Sequence, residues 1–388
     1  MAADGADSDI KVETIASISE IAAADWDRLA ARAGRFRNPF IQHAFLSAIE
    51  ESGSVGRDTG WTPCHVVLRR GGGMVGVAPF YLKDHSFGEY VFDHGWAEAY
   101  MRAGGRYYPK LLCAVPFTPA TGPRLLAEDD AAHAALAKAL IAVAQSRRIS
   151  SVHVNFHPET DDLSPQGFLE RRGIQYHWFN RGYRTYEDFL GALSSRKRKA
   201  LRRERREASA GITFTRITGG DLTERCWDAF WRFYQDTGSR KWGRPYLTRS
   251  FFSLLGERMA EQVLLVFAER DGRPIAGALN LIGGDTLHGR YWGRSEERPF
   301  LHFEVCYHQA IDFAIERGLS RVEAGAQGDH KLARGYEPVL TRSSHWIADQ
   351  GFRAAVARFL DAERRQVDAE LAAIAAESPF REPSPGAR

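Results

Sequence analysis

With 388 residues, 44% apolar and 12% aromatic side chains, the chain is long and apolar enough for about two domains with buried cores. Its 52 Lys and Arg nearly balance 49 Asp and Glu, a formal charge of +3, which excludes polyanion binding by the chain as a whole and leaves it only to local patches. Four scattered cysteines with no C-x-x-C pair, no metal-ligand grouping with histidines and no apolar run long enough to span a membrane point away from structural zinc, a disulfide scaffold and a transmembrane helix, and the acidic opening MAADGADSDI does not read as a secretion signal, so a cytoplasmic protein is expected.

In chain order, residues 1–12 are expected to be disordered, and residues 13–182 to form a first domain. Its elements are a strand at VETIAS, helices around Trp26 and Phe45, strands at HVVLRR, MVGVAPFYL and GEYVFD, a helix over Asp130–Gln145 and a strand at SVHVNF. Residues 183–210 form a basic connector helix. Residues 211–350 repeat the first order: a strand at ITFTRI, helices over Leu222–Asp236 and Thr248–Met259, and strands at VLLVFAE, PIAGALNLI and TLHGRYWG. Asp271-Gly272 and Gly283-Gly284-Asp285 suit the tight turns between those strands. A helix over His302–Glu316, stopped by Gly318, then leads to the strand RVEAG. Residues 351–376, with Phe352, Val356, Phe359, Leu360, Val367, Leu371 and Ile374 at helical spacing, predict a helix that packs back on the fold or forms a homodimer contact. Residues 377–388 are expected to be disordered.

The repeat is visible residue by residue. NPFIQHAFLSAIEE aligns without gaps on RPYLTRSFFSLLGE, matching Pro39/Pro245, Phe45/Phe251, Ser47/Ser253 and Glu51/Glu257. A constant offset of 201 residues pairs Trp26-Asp27 with Trp227-Asp228, and Gly71, Gly76, Asp84, Gly88 and Tyr90 with Gly272, Gly277, Asp285, Gly289 and Tyr291. Three segments repeating in one order point to duplication. Between the copies, within SSRKRKALRRERREA, the span Arg196–Arg206 packs eight cations around one acid, Glu204. Tyr186, Phe189, Leu190, Leu193, Ala200 and Leu201 keep near helical period, so the cations fill the other faces. A solvated face is the plain reading; the alternative is an anion that relieves the crowding, from a donor phosphate, a carboxylate face or RNA.

The element order, the duplication, the connector and the late segments TGSRKWGRPYLT, GRYWG, FLHFEVCYHQAIDFAIERG and VEAGAQGDHKLARGYEP resemble the FemAB-like branch of the GNAT N-acyltransferases, the group described as peptidoglycan biosynthesis/recognition or predicted N-acyltransferase proteins. The resemblance runs from about Asn38 to Phe380. It implies an α/β fold with mixed sheets, a tandem pair of GNAT-like domains, and transfer of an acyl or aminoacyl group from acyl-CoA or aminoacyl-tRNA to a small-molecule or peptide amine, with tRNA a possible partner and no metal. The alternative is a non-catalytic peptidoglycan or peptide-recognition module of the same fold. One departure stands out: the turn GRSEERPFLHFE lacks the glycine pattern by which GNAT domains cradle pyrophosphate at a helix N-terminus. Arg294 and Arg298, with Arg196 and Lys197 of the connector, are the remaining candidates for phosphate. The corresponding turn of the first copy also lacks the pattern, so that domain reads as a substrate or support domain.

Amide formation needs a proton acceptor for the amine, donors for the tetrahedral oxyanion and an acid for the leaving group. Glu304 is the first candidate base and His302 its rival; helix-dipole complementation and a cap-region role are their structural alternatives. Glu323 lies between apolar neighbours in RVEAG, where an unpaired acid would cost several kcal/mol, so it is half of a buried ion pair or a functional carboxylate. Tyr291 is a candidate acid for the leaving group, or a core tyrosine. Asn280, Trp292, Tyr307, Gln327, His330 and Lys331, with Trp242 and Arg244 in the loop SRKWGRPY, are candidate substrate contacts. A flexible loop with a solvated Lys331 is the alternative for the turn after RVEAG. In the first copy Tyr107, Lys110, Thr118 and Thr121 are candidate contacts.

Overall fold

The computed structural model describes residues 10–32, 38–241, 245–325 and 328–381. The chain divides into two units, Met1–Gly173 with Tyr246–Phe251 and Thr341–Gln366, and Ile174–Pro245 with Phe252–Leu340 and Val367–Arg388. The expected α/β architecture with mixed sheets is the one observed.

In the first unit, Ile10–Ile15, His65–Arg70, Gly73–Ala78 and Leu126–Ala127 form an antiparallel sheet. Trp61–Pro63, Phe80–Lys83 and Lys110–Cys113 run antiparallel to one another, and Lys110–Cys113 runs parallel to Ser151–His157. Parallel neighbours need a crossover, and helix Asp130–Ser146 supplies it. Its first turn is capped by the Asp129 carboxylate, which accepts the Ala132 N–H at 2.7 Å. Leu136, Leu140 and Ala144, four residues apart, are fully buried among Val66, Leu68, Phe80 and Val152. Each such leucine contributes about 1.5–3 kcal/mol.

GEYVFD is not a strand. Gly88 and Tyr90 have left-handed backbones (φ +79° and +59°), and a helix, His94–Arg102, follows. Lys110–Cys113 instead has the topological position of Thr286–Arg294. The offset of 201 residues therefore has structural meaning as far as Gly76 and Gly277, and the later matches at Asp84, Gly88 and Tyr90 do not.

In the second unit, Thr213–Ile217, Val263–Arg270, Arg273–Gly283 and Thr286–Arg294 form the expected antiparallel meander. Asp271 and Gly272 (φ +51° and +69°) make its first tight turn. After a helical crossover, Arg321–Glu323 joins parallel to Thr286–Arg294. The core of this unit includes Trp178, Phe189, Leu264, Val266, Leu287, Ile311 and Val322.

Beside short strands such as Trp61–Pro63 and Lys110–Cys113, two long strands were not expected, and each completes the sheet of the unit encoded mainly by the other half of the chain. Leu169–Phe179 follows the first copy, yet its residues 174–179 belong to the second unit, where Phe179, Trp178 and His177 pair antiparallel with Arg321, Val322 and Glu323. Glu337–Ile347 follows the second copy, yet its residues 342–347 pair with Ser151–His157 of the first unit. Buried Gln175, His177, Ser343 and His345 interrupt the apolar alternation that would have marked them.

The connector is two helices, Tyr186–Ala192 and Ser195–Ala208, broken at Leu193-Ser194. Ser378–Arg381, expected to be unstructured, instead pairs with that break: Ser194 N–H donates to the Pro379 carbonyl and Arg381 N–H to the Ala192 carbonyl, both at 3.0 Å. Ala200 is exposed; the buried stripe of the basic helix is Leu201, Glu204 and Ala208. Helix Gln350–Ala376 buries Val356 and Leu360 against Trp96, Tyr107 and Ile347 within the first unit. Among the described residues no helix is long and apolar enough to cross a membrane.

Candidate active site

The second unit contains a cavity of about 140 Å³ where two strands part. Thr286–His288 pairs with Arg321–Glu323, and the pairing ends there. On its other edge the same strand is bulged, since Tyr291 faces Leu279 while Gly289 faces Asn280, leaving Arg290 as the extra residue. Strict strand alternation would put Arg290 and Trp292 on one face, and the bulge breaks that count. Gly289 permits the close approach, because a Cβ there would meet the Glu323 carbonyl oxygen at 3.3 Å.

The helical wall of the cavity begins at Leu301. Residues Glu304–His308 form a π-helical turn, so residues five apart come onto one face. His302 and Tyr307, which ordinary helical spacing would separate, stand with ring centroids 5.3 Å apart. His302 also packs on Trp292 at 4.3 Å, and the Tyr307 hydroxyl lies 3.0 Å from His330 Nε2. Asn280, Tyr291, Trp292, His302 and Tyr307 line the cavity, and His330 reaches it through Tyr307. Cys306 and Arg290 are further lining residues that sequence reasoning had not selected. Burial pushes the Tyr307 phenol up, so it stays protonated near neutral pH. Tyr291 packs edge-on against Tyr234 at 5.2 Å.

Glu304 is not in the cavity wall. It is 1% exposed and accepts hydrogen bonds from Arg205 Nε (3.1 Å), Arg205 Nη2 (2.9 Å) and Gln309 Nε2 (2.8 Å). Arg205 also holds Asp312 at 2.7 Å. With its lone pairs so engaged, Glu304 fastens the π turn to the basic helix and is unavailable as a base for a ligand in the cavity. Glu323 is buried in a row across three adjacent strands, His288, Glu323 and His177, with its carboxylate 3.0 Å from His288 Nδ1. Burial raises its pKa, but His288, His177 and Arg321 outweigh that and hold the carboxyl well below the usual range. It is the buried-ion-pair alternative that the geometry favours.

Lys331 is buried rather than solvated, and its ammonium donates to the carbonyls of Ala324 (2.6 Å) and Gly325 (3.0 Å), closing the strand end beside the cavity. Burial brings its pKa down to about 8. The loop carrying His330 is anchored from behind. Arg334 makes a two-pronged ion pair with Glu204 (2.8 and 2.5 Å), donates to the His330 carbonyl (2.5 Å) and stacks on Phe303 at 3.4 Å. Glu204 also lies 2.7 Å from His308 Nε2, whose Nδ1 is 2.7 Å from the Tyr186 hydroxyl. The signal for this network was present as the lone acid in the basic run.

The remaining candidates disperse. Arg294 pairs with Glu297 (3.1 Å), and Arg298 donates to the Ala210 carbonyl (3.3 Å). Arg196 and Lys197, with Arg198, Lys199 and Arg206, make no ion pair among the described residues. Lys110 and Tyr107 are buried in the first unit: Lys110 Nζ donates to Ser86, Glu89 and Asp93 (2.7, 2.8 and 2.5 Å), and the Tyr107 hydroxyl to Asp93 (2.7 Å). Thr118 is buried and donates to the Pro116 carbonyl, while the Thr121 carbonyl accepts from Asn38. Trp242, Arg244 and Gln327 lie outside the described residues. Among those described, no group of three His, Cys, Asp or Glu is arranged to hold a metal ion.

The profile of the FemAB-like family, described as peptidoglycan biosynthesis/recognition, matches residues 17–382. No curated protein matches the sequence. Among solved structures, FemX superposes with a TM-score of 0.55 at 14% identity, covering 87% of this chain and 98% of that one. The C-terminal domain of a putative lysylphosphatidylglycerol synthetase from Agrobacterium fabrum gives 0.54 at 10%, covering 89% and 97%. An L-PGS from Bacillus licheniformis gives 0.51 at 10%, covering 90% and 98%. At such identities the likeness is one of fold.

Proposed function

The chain belongs to the FemAB-like family, and on that footing we propose that it is an N-acyltransferase whose second-unit cavity holds an acyl or aminoacyl group during transfer to an amine, with an amine of a peptidoglycan-type peptide as acceptor. The observation that carries this reading is the row of His302, Tyr307 and His330 at the parting of two strands. The amine nitrogen attacks the donor carbonyl carbon and forms the C–N bond. Collapse of the tetrahedral intermediate breaks the thioester C–S or ester C–O bond. His302 accepts the amine proton; Tyr307, kept protonated by burial, donates one to the leaving thiolate or alkoxide and is resupplied through His330. Asn280, Trp292 and Tyr291 shape the acyl pocket.

The donor is acyl-CoA or aminoacyl-tRNA. An aminoacyl-tRNA donor uses the cations of the basic helix that make no ion pair among the described residues, and gives binding that falls steeply with salt; an acyl-CoA donor gives thermal protection by CoA esters. A recognition module without turnover is favoured by one observation: the cations of the turn after Thr286–Arg294 are already engaged, Arg294 by Glu297 and Arg298 by Ala210. Melting temperature against CoA esters and charged tRNA, followed by mass spectrometry of amine products, separates these readings. Product formation supports transfer; binding of peptide with no product from either donor supports recognition and refutes the enzyme.

A further inference from the structure

We propose that the first unit carries a second ligand site, independent of the acyl-transfer reading, which takes a nucleoside diphosphate or a close nucleotide. The site is a cavity of about 540 Å³, within the ~300–1,000 Å³ of small-ligand sites. Three guanidiniums, Arg106, Arg147 and Arg148, and three aromatic rings, Tyr100, Tyr108 and Trp346, line it, with no acidic side chain in its wall. None of the three arginines makes an ion pair among the described residues. Arg106 Nε donates to the Tyr108 carbonyl at 3.1 Å and Arg147 Nη2 to the Thr14 hydroxyl at 3.3 Å, which positions charge without neutralising it. The basic character is local. A cavity of similar size in the same unit, about 570 Å³, is lined by Glu128, Asp129, Asp130 and Asp161 against Arg32 and His133.

The rings are fixed in advance. Tyr100 stacks on Phe352 at 4.4 Å, the Tyr108 hydroxyl lies 2.8 Å from Ser86 Oγ, and Trp346 packs against the core of the unit. Held aromatic faces bind a planar base at small entropic cost, and guanidiniums pair with phosphate oxygens two at a time. The lining residues Pro109 and Ser150 immediately precede Lys110–Cys113 and Ser151–His157, so the cavity is at the N-terminal end of the parallel strand pair. Ligands of crossover sheets ordinarily bind at the other end.

Arg147 and Arg148 end helix Asp130–Ser146, and complementing the helix dipole would explain their charge. It does not explain the backbone of Arg148, which is left-handed at φ +54°. The duplicated half supplies the comparison. Arg147-Arg148-Ile149-Ser150 corresponds to Arg317-Gly318-Leu319-Ser320, the turn after helix Gln309–Glu316. The two turns share their hydrogen bonds: Arg148 N–H to Gln145 and Gly318 N–H to Ile315 (both 3.1 Å), Ile149 N–H to Ala144 (2.9 Å) and Leu319 N–H to Ala314 (2.8 Å). The second half fills the left-handed position with glycine (φ +65°), the residue such a turn favours. The first half puts a guanidinium there, against local preference, and that guanidinium lines the cavity.

The test is isothermal titration of the full chain with ADP, UDP, inorganic pyrophosphate, adenosine and uridine, on the unmodified protein and on Arg148→Gly, Arg106→Gln and Trp346→Leu. A nucleotide should bind more tightly than either pyrophosphate or the free nucleosides. Arg148→Gly should weaken it roughly 10- to 100-fold, the loss of one charge-assisted contact, while the unliganded melting temperature stays the same or rises because glycine relieves the left-handed strain. Trp346→Leu should weaken nucleotides but not pyrophosphate. Absence of nucleotide binding at millimolar concentration overturns the proposal. So does equal affinity in the Arg148→Gly and Arg106→Gln variants, which would put the nucleotide elsewhere, and so does pyrophosphate binding as tightly as nucleotide, which would leave the rings without a role.

Discussion

Replacing Glu204 by alanine tests the anchor behind the candidate site. Glu204 is 7% exposed and Arg334 is 6% exposed, and they share two charge-assisted hydrogen bonds. Removing the carboxylate leaves a buried guanidinium without its counter-ion and His308 Nε2 without its partner 2.7 Å away. Breaking a buried pair from one side costs about 3–5 kcal/mol. Because 9% of the Glu204 side chain still meets solvent, the lower end, about 3 kcal/mol, is expected. That corresponds to roughly 6–12 °C in the melting temperature of a unit of this size. Urea denaturation followed by far-ultraviolet circular dichroism gives the free energy. The paired change Glu204→Leu with Arg334→Leu removes both charges together and should recover most of the loss, since an apolar replacement of a buried pair is close to neutral. A loss below about 1 kcal/mol for Glu204→Ala, or a paired variant no more stable than the single one, would mean that solvent screens this pair as it does surface pairs.

Three further outcomes are expected. His302→Ala should lower turnover by on the order of 10²–10⁴-fold with the fold intact, whereas Glu304→Gln should mainly destabilise, having lost its charge on Arg205; equal activity of His302→Ala and the parent would remove His302 from the mechanism. Glu323 has a folded pKa below its unfolded value, so the stability it contributes is present above about pH 4.5 and is lost as pH falls through the acid range; Glu323→Gln should be less stable at pH 7 and lose less between about pH 5 and 3, as read by melting temperature against pH. Gly293→Ala should destabilise by about 1–3 kcal/mol or more, because its Cβ would lie 2.1 Å from the Phe233 carbonyl oxygen in the backbone of a helix that cannot withdraw; an unchanged urea midpoint would show that helix Glu224–Lys241 yields.

Much of the architecture was legible in the sequence where local physics decides it. Helix Asp130–Ser146 shows its buried stripe at Leu136 and Leu140, the Asp271-Gly272 turn names its own hairpin, and the gap-free match around Phe45 and Phe251 exposes the duplication. The family resemblance rested on the element order, the duplication, the connector and late segments such as GRYWG and VEAGAQGDHKLARGYEP, and the family match over residues 17–382 agrees with it. The candidate site was legible only in part. Trp292, Tyr307 and His302 were selected, but the reason they meet is a π turn and a one-residue bulge, neither of which leaves a periodic mark.

The sequence by itself determined the main helices, the antiparallel meander of the second half and the duplication, because apolar spacing and turn residues act over a few neighbours at a time. Only the tertiary structure decided that Leu169–Phe179 and Glu337–Ile347 complete each other's sheets, that Glu304 is tied to Arg205, and that Glu204 alone in its basic run turns inward to Arg334 and His308. The last two outcomes depend on which buried charge finds which partner across about a hundred residues of chain or more, and a buried ion's cost is met by whatever countercharge the fold brings beside it.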